Sequence, residues 1–146
     1  MADQLARDRA ASPATDAGVW HLLFGIVSLV GATLLIVGPT MTWGSYVVSG
    51  VEYLVNSGID VSVTLGVGVL VGALGIARIA SAVRYGPILW IQLGLAAFVA
   101  AVVLFDMAAA YSSTIDVYIG AGMQTALLGA VLVMLGSVPA MAGGRR

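Results

Sequence analysis

Ionisable and strongly polar side chains are scarce in this sequence, so each one inside an apolar stretch is a candidate for chemistry. Asp106 lies near the end of a long apolar run and precedes Met107 and three alanines that can prolong a helix. An ionisable residue within a span is a candidate for function, and ordinary exposure at the outer interface is the alternative reading of Asp106. Gln92 and Gln124 place amides in two further apolar stretches. In hydrocarbon each amide needs a partner, so both are expected to face protein, as interhelical glue or along a polar path. They fall toward opposite leaflets, which argues against a direct pair. Glu52, Asp60, Asp106 and Asp116 are hard oxygen donors suited to a divalent cation, although their spacing matches no specific loop. His21 is the single histidine, so one chain offers no paired imidazoles for haem or a multi-histidine metal site. Cysteine is absent, which excludes disulfides, thiolate metal sites and thiol nucleophiles. No phosphate-binding loop, dinucleotide fingerprint, zinc motif or nucleophile elbow is present. The six basic residues, all arginine, form no stripe that would bind nucleic acid. The inventory points to a chain that is not an enzyme and carries no cofactor.

The elements that must position these residues follow from solvation. Of 146 residues, 60% are hydrophobic and 9% charged, and mean hydropathy is +1.05. Four apolar runs, at about 19–37, 62–83, 87–107 and 117–138, are each long enough for a helix to cross a hydrocarbon core of about 30 Å. The first stops at Gly38-Pro39, the third starts at Pro87 and the fourth ends at Pro139, where the missing amide and the fixed φ favour helix boundaries. No A-x-A-like site follows the first run, so it reads as a retained helix rather than a signal peptide. Residues 1–18 and 139–146 read as polar tails, the first flexible. The predicted class is an all-α membrane protein, a bundle of four transmembrane helices.

Arg7 and Arg9 precede the first run, Arg78 and Arg84 fall between the second and third, and Arg145 and Arg146 follow the fourth. All lie on one side, so the positive-inside bias predicts that both termini are cytoplasmic in the inner membrane. Arg78 is expected to snorkel to the nearby interface. Trp20, Tyr85 and Trp90 then mark the inner headgroup level, and Trp43, Tyr111 and Tyr118 the outer one.

Ser57-Gly58-Ile59-Asp60-Val61 and Ser113-Thr114-Ile115-Asp116-Val117 match closely, and the same offset pairs Gly66 with Gly122. Two tandem helical hairpins related by a pseudo-twofold axis are therefore expected, with Asp60 and Asp116 as helix caps. Lipid does not drive helices together, so close packing over small residues must. Gly25, Ser28 and Gly31 offer this in the first helix, Gly68 and Gly72 in the second, and Gly122, Ala126 and Ala130 in the fourth. The outer segment 40–61 is unusually apolar. With Trp43, Tyr46, Tyr53 and Leu54 it reads as a hairpin or an interfacial helix that caps the bundle or docks on a partner.

Thr42-Trp43, Ser57-Gly58-Ile59-Asp60, and Gly120-Ala121-Gly122 leading to Ala126-Leu127-Leu128-Gly129 give the chain a resemblance to the uncharacterised small four-helix integral membrane proteins of actinobacteria. That resemblance implies a four-helix membrane fold and an actinobacterial source, with no particular activity. Small multidrug transporters carry a glutamate in helix one, and claudin-like proteins and tetraspanins carry outer cysteines; all are missing here. The expected function is a non-enzymatic accessory or scaffolding subunit, packed in membrane lipid against itself or other membrane-protein subunits. The alternatives are a small oligomeric channel or transporter, and a lipid- or quinone-binding membrane protein.

Overall fold

The structure, a computed structural model, describes residues 2–55, 58–80, 86–112 and 117–142, and side chains over 19–55, 58–80, 86–112 and 117–138. Four helices account for most of it: α1 (Ala2–Val37), α2 (Ile59–Ala80), α3 (Gly86–Ser112) and α4 (Ala121–Ala142). All four contain a stretch long and apolar enough to cross a membrane. Large apolar side chains such as Phe98, Phe105, Ile76 and Leu135 point outward, the arrangement expected when the surrounding solvent is lipid. The protein is a multi-pass membrane protein. Its helices form a ring in which neighbours run antiparallel, with α1 and α4 the closest pair and α2 and α3 the loosest.

The α1–α4 seam follows a repeat of seven residues on both helices. A Cβ added at Gly31 would lie 2.6 Å from the Gly129 carbonyl oxygen, and one at Gly129 2.7 Å from that of Gly31. Gly38 and Gly122 face each other in the same way, at 2.9 and 2.7 Å, and a Cβ at Gly136 would lie 2.6 Å from the Phe24 carbonyl oxygen. Seven steps along α1 are thus answered by seven back along α4, the period of left-handed antiparallel packing. Of the expected packing residues, Gly25, Ser28, Gly31, Gly68, Gly122, Ala126 and Ala130 are buried, while Gly72 stands off by an ordinary contact of 3.7 Å to Ala32. Gly68 meets the backbone of Leu35, and Gly75 makes room for Leu29. Gly129 and Gly136, which complete the seam, were not singled out by the small-residue spacing.

The segment between α1 and α2 is a β-hairpin. After a 3-10 turn at Gly38–Thr40, β1 (Gly44–Val48) pairs antiparallel with β2 (Val51–Val55), with Tyr46 opposite Tyr53. Ser49 and Gly50 both have positive φ, at 53° and 81°, as a two-residue type I′ turn requires. The short β3 (Val117–Ile119) pairs with the other edge of β1, giving a three-stranded sheet of order β2-β1-β3 at one end of the bundle. We refer to this as the sheet end, and to the opposite end as the arginine end.

Several boundaries differ from expectation. Residues 2–18 continue α1 instead of forming a flexible tail. Alanine and arginine favour helix, Asp3 suits the positive end of the dipole, and Asp3 and Arg7 are four apart. α2 spans Ile59–Ala80 rather than 62–83, and residues 81–85 lie outside the described residues. α3 runs on through Ala108–Ala110 to Ser112. α4 begins at Ala121 instead of Val117, and passes Pro139 to Ala142, so 139–142 are not a tail. The late start has a clear cause: Tyr118 and Ile119 are committed to the sheet, and the amides of Gly120 and Gly122 donate to the carbonyls of Trp43 and Thr42.

The matched S-x-I-D-V segments consequently enter different structures. The first opens α2, with Asp60 in its first turn; the second leads into β3, and Asp116 lies outside the described residues. Gly66 faces open space whereas Gly122 is wedged against Gly38, so the offset does not carry equivalent environments.

The seam predicts a sharp contrast between glycines. Gly129→Ala should destabilise the bundle by about 1–3 kcal/mol or more through overpacking against backbone that cannot yield. Gly66→Ala should leave it unchanged or up to about 1 kcal/mol more stable. Unfolding by titration with a denaturing detergent, followed by circular dichroism, reads both.

Candidate functional site: polar groups inside the bundle

The most unusual group inside the bundle is Arg78. It stands in the last turn of α2 and was expected to reach the near interface, but it is 3% exposed. Helical Cα–Cβ bonds tilt toward the helix N-terminus, which for α2 is the sheet end, so the side chain sets out into the bundle and away from the closer surface. It crosses the ring to α4, where Nη1 donates to the Gly136 carbonyl oxygen at 3.2 Å. Nε and Nη2 are buried without a hydrogen-bond partner among the described residues. A guanidinium taken out of water without a counter-charge costs on the order of several kcal/mol. Sequence reasoning missed this residue because it weighed distance to the helix end and ignored the direction in which the side chain leaves.

Gln92 is fully buried, as expected. α3 starts at the arginine end, so Gln92 tilts back toward that end, and its Nε2 donates to the Val71 carbonyl oxygen at 3.2 Å. The side chain passes over Gly75, where a Cβ would sit 3.6 Å from Nε2. Its Oε1 has no partner among the described residues, and neither does the buried Oγ of Ser28. Ser28 packs on Gly136, whose added Cβ would lie 3.0 Å from the Ser28 Cβ. Ser137 is also buried, but its hydroxyl donates to Val133 one turn back at 2.8 Å. All four helices thus contribute polar groups to the half of the interior nearer the arginine end.

The other candidates lie elsewhere. Asp106 is half-buried beneath the sheet, near the Trp43 indole and within reach of the charge of Asp60. Trp43 was expected to be an interfacial anchor and docking residue, yet only 3% of it is exposed and it belongs to the hydrophobic core. Its amide donates to Val55 and its carbonyl accepts from Gly120, so one residue joins β2 to the segment that enters α4. Gln124 was expected to face protein; it lies in the first turn of α4 with an exposed side chain, at the wet end where its amide needs no protein partner. Within one chain Gln92, Gln124 and Asp106 are therefore not brought together, Gln92 lying nearer the arginine end and the other two toward the sheet end. Among the described residues no group of three or more histidine, aspartate or glutamate side chains is placed to hold a metal. Trp20 and Trp90 are exposed toward the arginine end, and Tyr111 and Tyr118 toward the sheet end, where headgroup-level anchors belong. Of the remaining docking candidates, Tyr46 is half-buried and stacks on Tyr53 with centroids 5.3 Å apart, while Tyr53 and Leu54 are exposed.

If Trp43 is the tie at the sheet end, Trp43→Phe should cost about 1–3 kcal/mol by shrinking a side chain buried in the core. Trp43→Ala should cost more, about 3–5 kcal/mol, because a cavity is added. Amide exchange should rise first in β1–β3, with α2 and the middle of α3 still protected. No protein family, curated protein or solved structure matches the chain, so what it does has to be argued from this geometry.

Proposed function

We propose that this protein is a non-enzymatic accessory or scaffolding subunit of the cytoplasmic membrane, with both termini cytoplasmic and the sheet outside. The observation that carries this reading is the exposed outer strand of the sheet. β2 is an edge strand with no neighbour on its far side among the described residues, and Val51, Tyr53 and Leu54 on it are exposed. Such an edge offers unpaired amides and carbonyls to another chain, and only Glu52 guards it with a charge. Beneath it Trp43 is buried in the core, and its backbone bonds to Val55 and Gly120 tie the hairpin to the segment that enters α4. A docking strand held in this way loses little entropy on binding. The partner is another membrane-protein subunit or a second copy of the chain. Orientation rests on the arginines: Arg7 and Arg9 on α1 and Arg78 on α2 stand toward the end away from the sheet, in sequence Arg84 falls between α2 and α3 while Arg145 and Arg146 follow α4, and Glu52, Asp60 and Asp106 stand toward the sheet.

The chain has no cysteine, so single-cysteine variants report cleanly. Leu54→Cys should give a defined cross-linked species in native membranes, and adding Tyr53→Asp should abolish it. A tag fused after Arg146 should resist protease added to intact cells. A chain that stays a lone monomer in mild detergent and in nanodiscs, with no cross-link from Leu54→Cys, would reject the scaffold reading.

A further inference from the structure

Arg78 presents a half-used guanidinium. Nη1 is committed to Gly136, whereas Nε and Nη2 are buried and unpartnered among the described residues. Those two nitrogens share one edge of the planar group, the edge that grips two oxygens of an oxyanion at once. The nearest acid on α1 is Asp16, eight residues before Phe24 and so about 12 Å further along the helix axis. No carboxylate among the described residues answers the charge.

A second unused donor stands beside it. The Ser28 hydroxyl, 1% exposed and unpartnered among the described residues, lies on α1 against Gly136, the residue that holds Arg78. Two helices therefore bring three buried N–H and O–H donors, on Arg78 and Ser28, to the neighbourhood of Gly136. On α2 this lies close to the helix end, since Arg78 is in the last turn, while on α1 Ser28 stands about 12 Å further into the bundle than Trp20. The adjoining α2–α3 seam is the loosest in the ring.

We propose that Arg78 and Ser28 form a phosphate-binding site at the arginine end of the bundle, filled by the headgroup of an anionic phospholipid or by free phosphate. Either source supplies what the site lacks, a negative oxyanion with two oxygens spaced for the Nε/Nη2 edge and a third for the serine hydroxyl. The site is independent of the docking strand at the other end.

The test uses the full chain in neutral detergent. One arm titrates phosphatidylglycerol, with a galactosyl diacylglycerol of equal chain length as the phosphate-free control, and reads bound lipid by native mass spectrometry. The other arm replaces chloride by inorganic phosphate at constant ionic strength and reads the thermal midpoint. The wild type should retain phosphatidylglycerol over the galactolipid, which marks a headgroup site, or rise in midpoint with phosphate, which marks a soluble anion. Arg78→Lys, which keeps the charge but loses the fork, should weaken the effective ligand about tenfold or more. Ser28→Ala should weaken it several-fold, and Arg78→Met should remove binding. Replacing a buried charge with an apolar side chain is commonly tolerated. Should Arg78→Met nevertheless fail to fold, the lysine and alanine variants decide the matter. Wild type that responds to neither probe, or variants that bind as tightly as wild type, would overturn the proposal.

Discussion

The contact of bare backbone on bare backbone between α1 and α4 governs the rest of the molecule. In lipid there is no hydrophobic gain from bringing helices together, so association must come from dispersion and close approach. Glycine on both sides allows that approach at Gly31–Gly129 and Gly38–Gly122. Everything else is referred to this seam. At one end it brings Gly120 and Gly122 under the carbonyls of Thr42 and Trp43, which seeds the sheet. At the other it brings Gly136 to Ser28 and exposes the carbonyl that Arg78 reaches.

The two ends solve opposite electrostatic problems. At the sheet end, Asp106 is half-buried, with the Trp43 indole and Asp60 near it. At the arginine end, Arg78 is enclosed and, among the described residues, meets only a neutral carbonyl. A single neutral acceptor satisfies one N–H and leaves the net charge unanswered. Polar groups inside this bundle are thus either completed locally, as in Ser137, or left with valences open, as in Ser28, Arg78 and Gln92.

Much of the fold was legible in the sequence because lipid imposes one rule at a time. Apolar length gave the four helices, and small-residue spacing picked out Gly31 and Gly122 of the α1–α4 seam but missed Gly38, Gly129 and Gly136. Helix ends were less legible. Pro139 was read as a stop, but a proline near a helix end forfeits a single hydrogen bond and α4 continues past it. The alternating valines and tyrosines of the outer segment allowed a hairpin or a helix; the positive φ of Ser49 and Gly50 belongs to the hairpin. The paired S-x-I-D-V segments misled, because a local match says nothing about whether a strand is waiting alongside, and β1 is already there for Val117–Ile119. Of the candidate site residues, Gln92 was placed well from its depth alone. Gln124 and Arg78 were misplaced because span edges shifted by a turn and side-chain direction was left out.

A ladder whose rungs repeat every seven residues is ambiguous about where it begins. Sliding α1 along α4 by one repeat would set Gly31 against Gly136 and Gly38 against Gly129, keeping two of the three close approaches. The seam alone therefore gives tightness without fixing alignment. What singles out the observed alignment is the strand cap, since Trp43 and Thr42 can bond Gly120 and Gly122 only when Gly38 faces Gly122. In this fold a few residues of β-structure act as the end-stop of a helical slide.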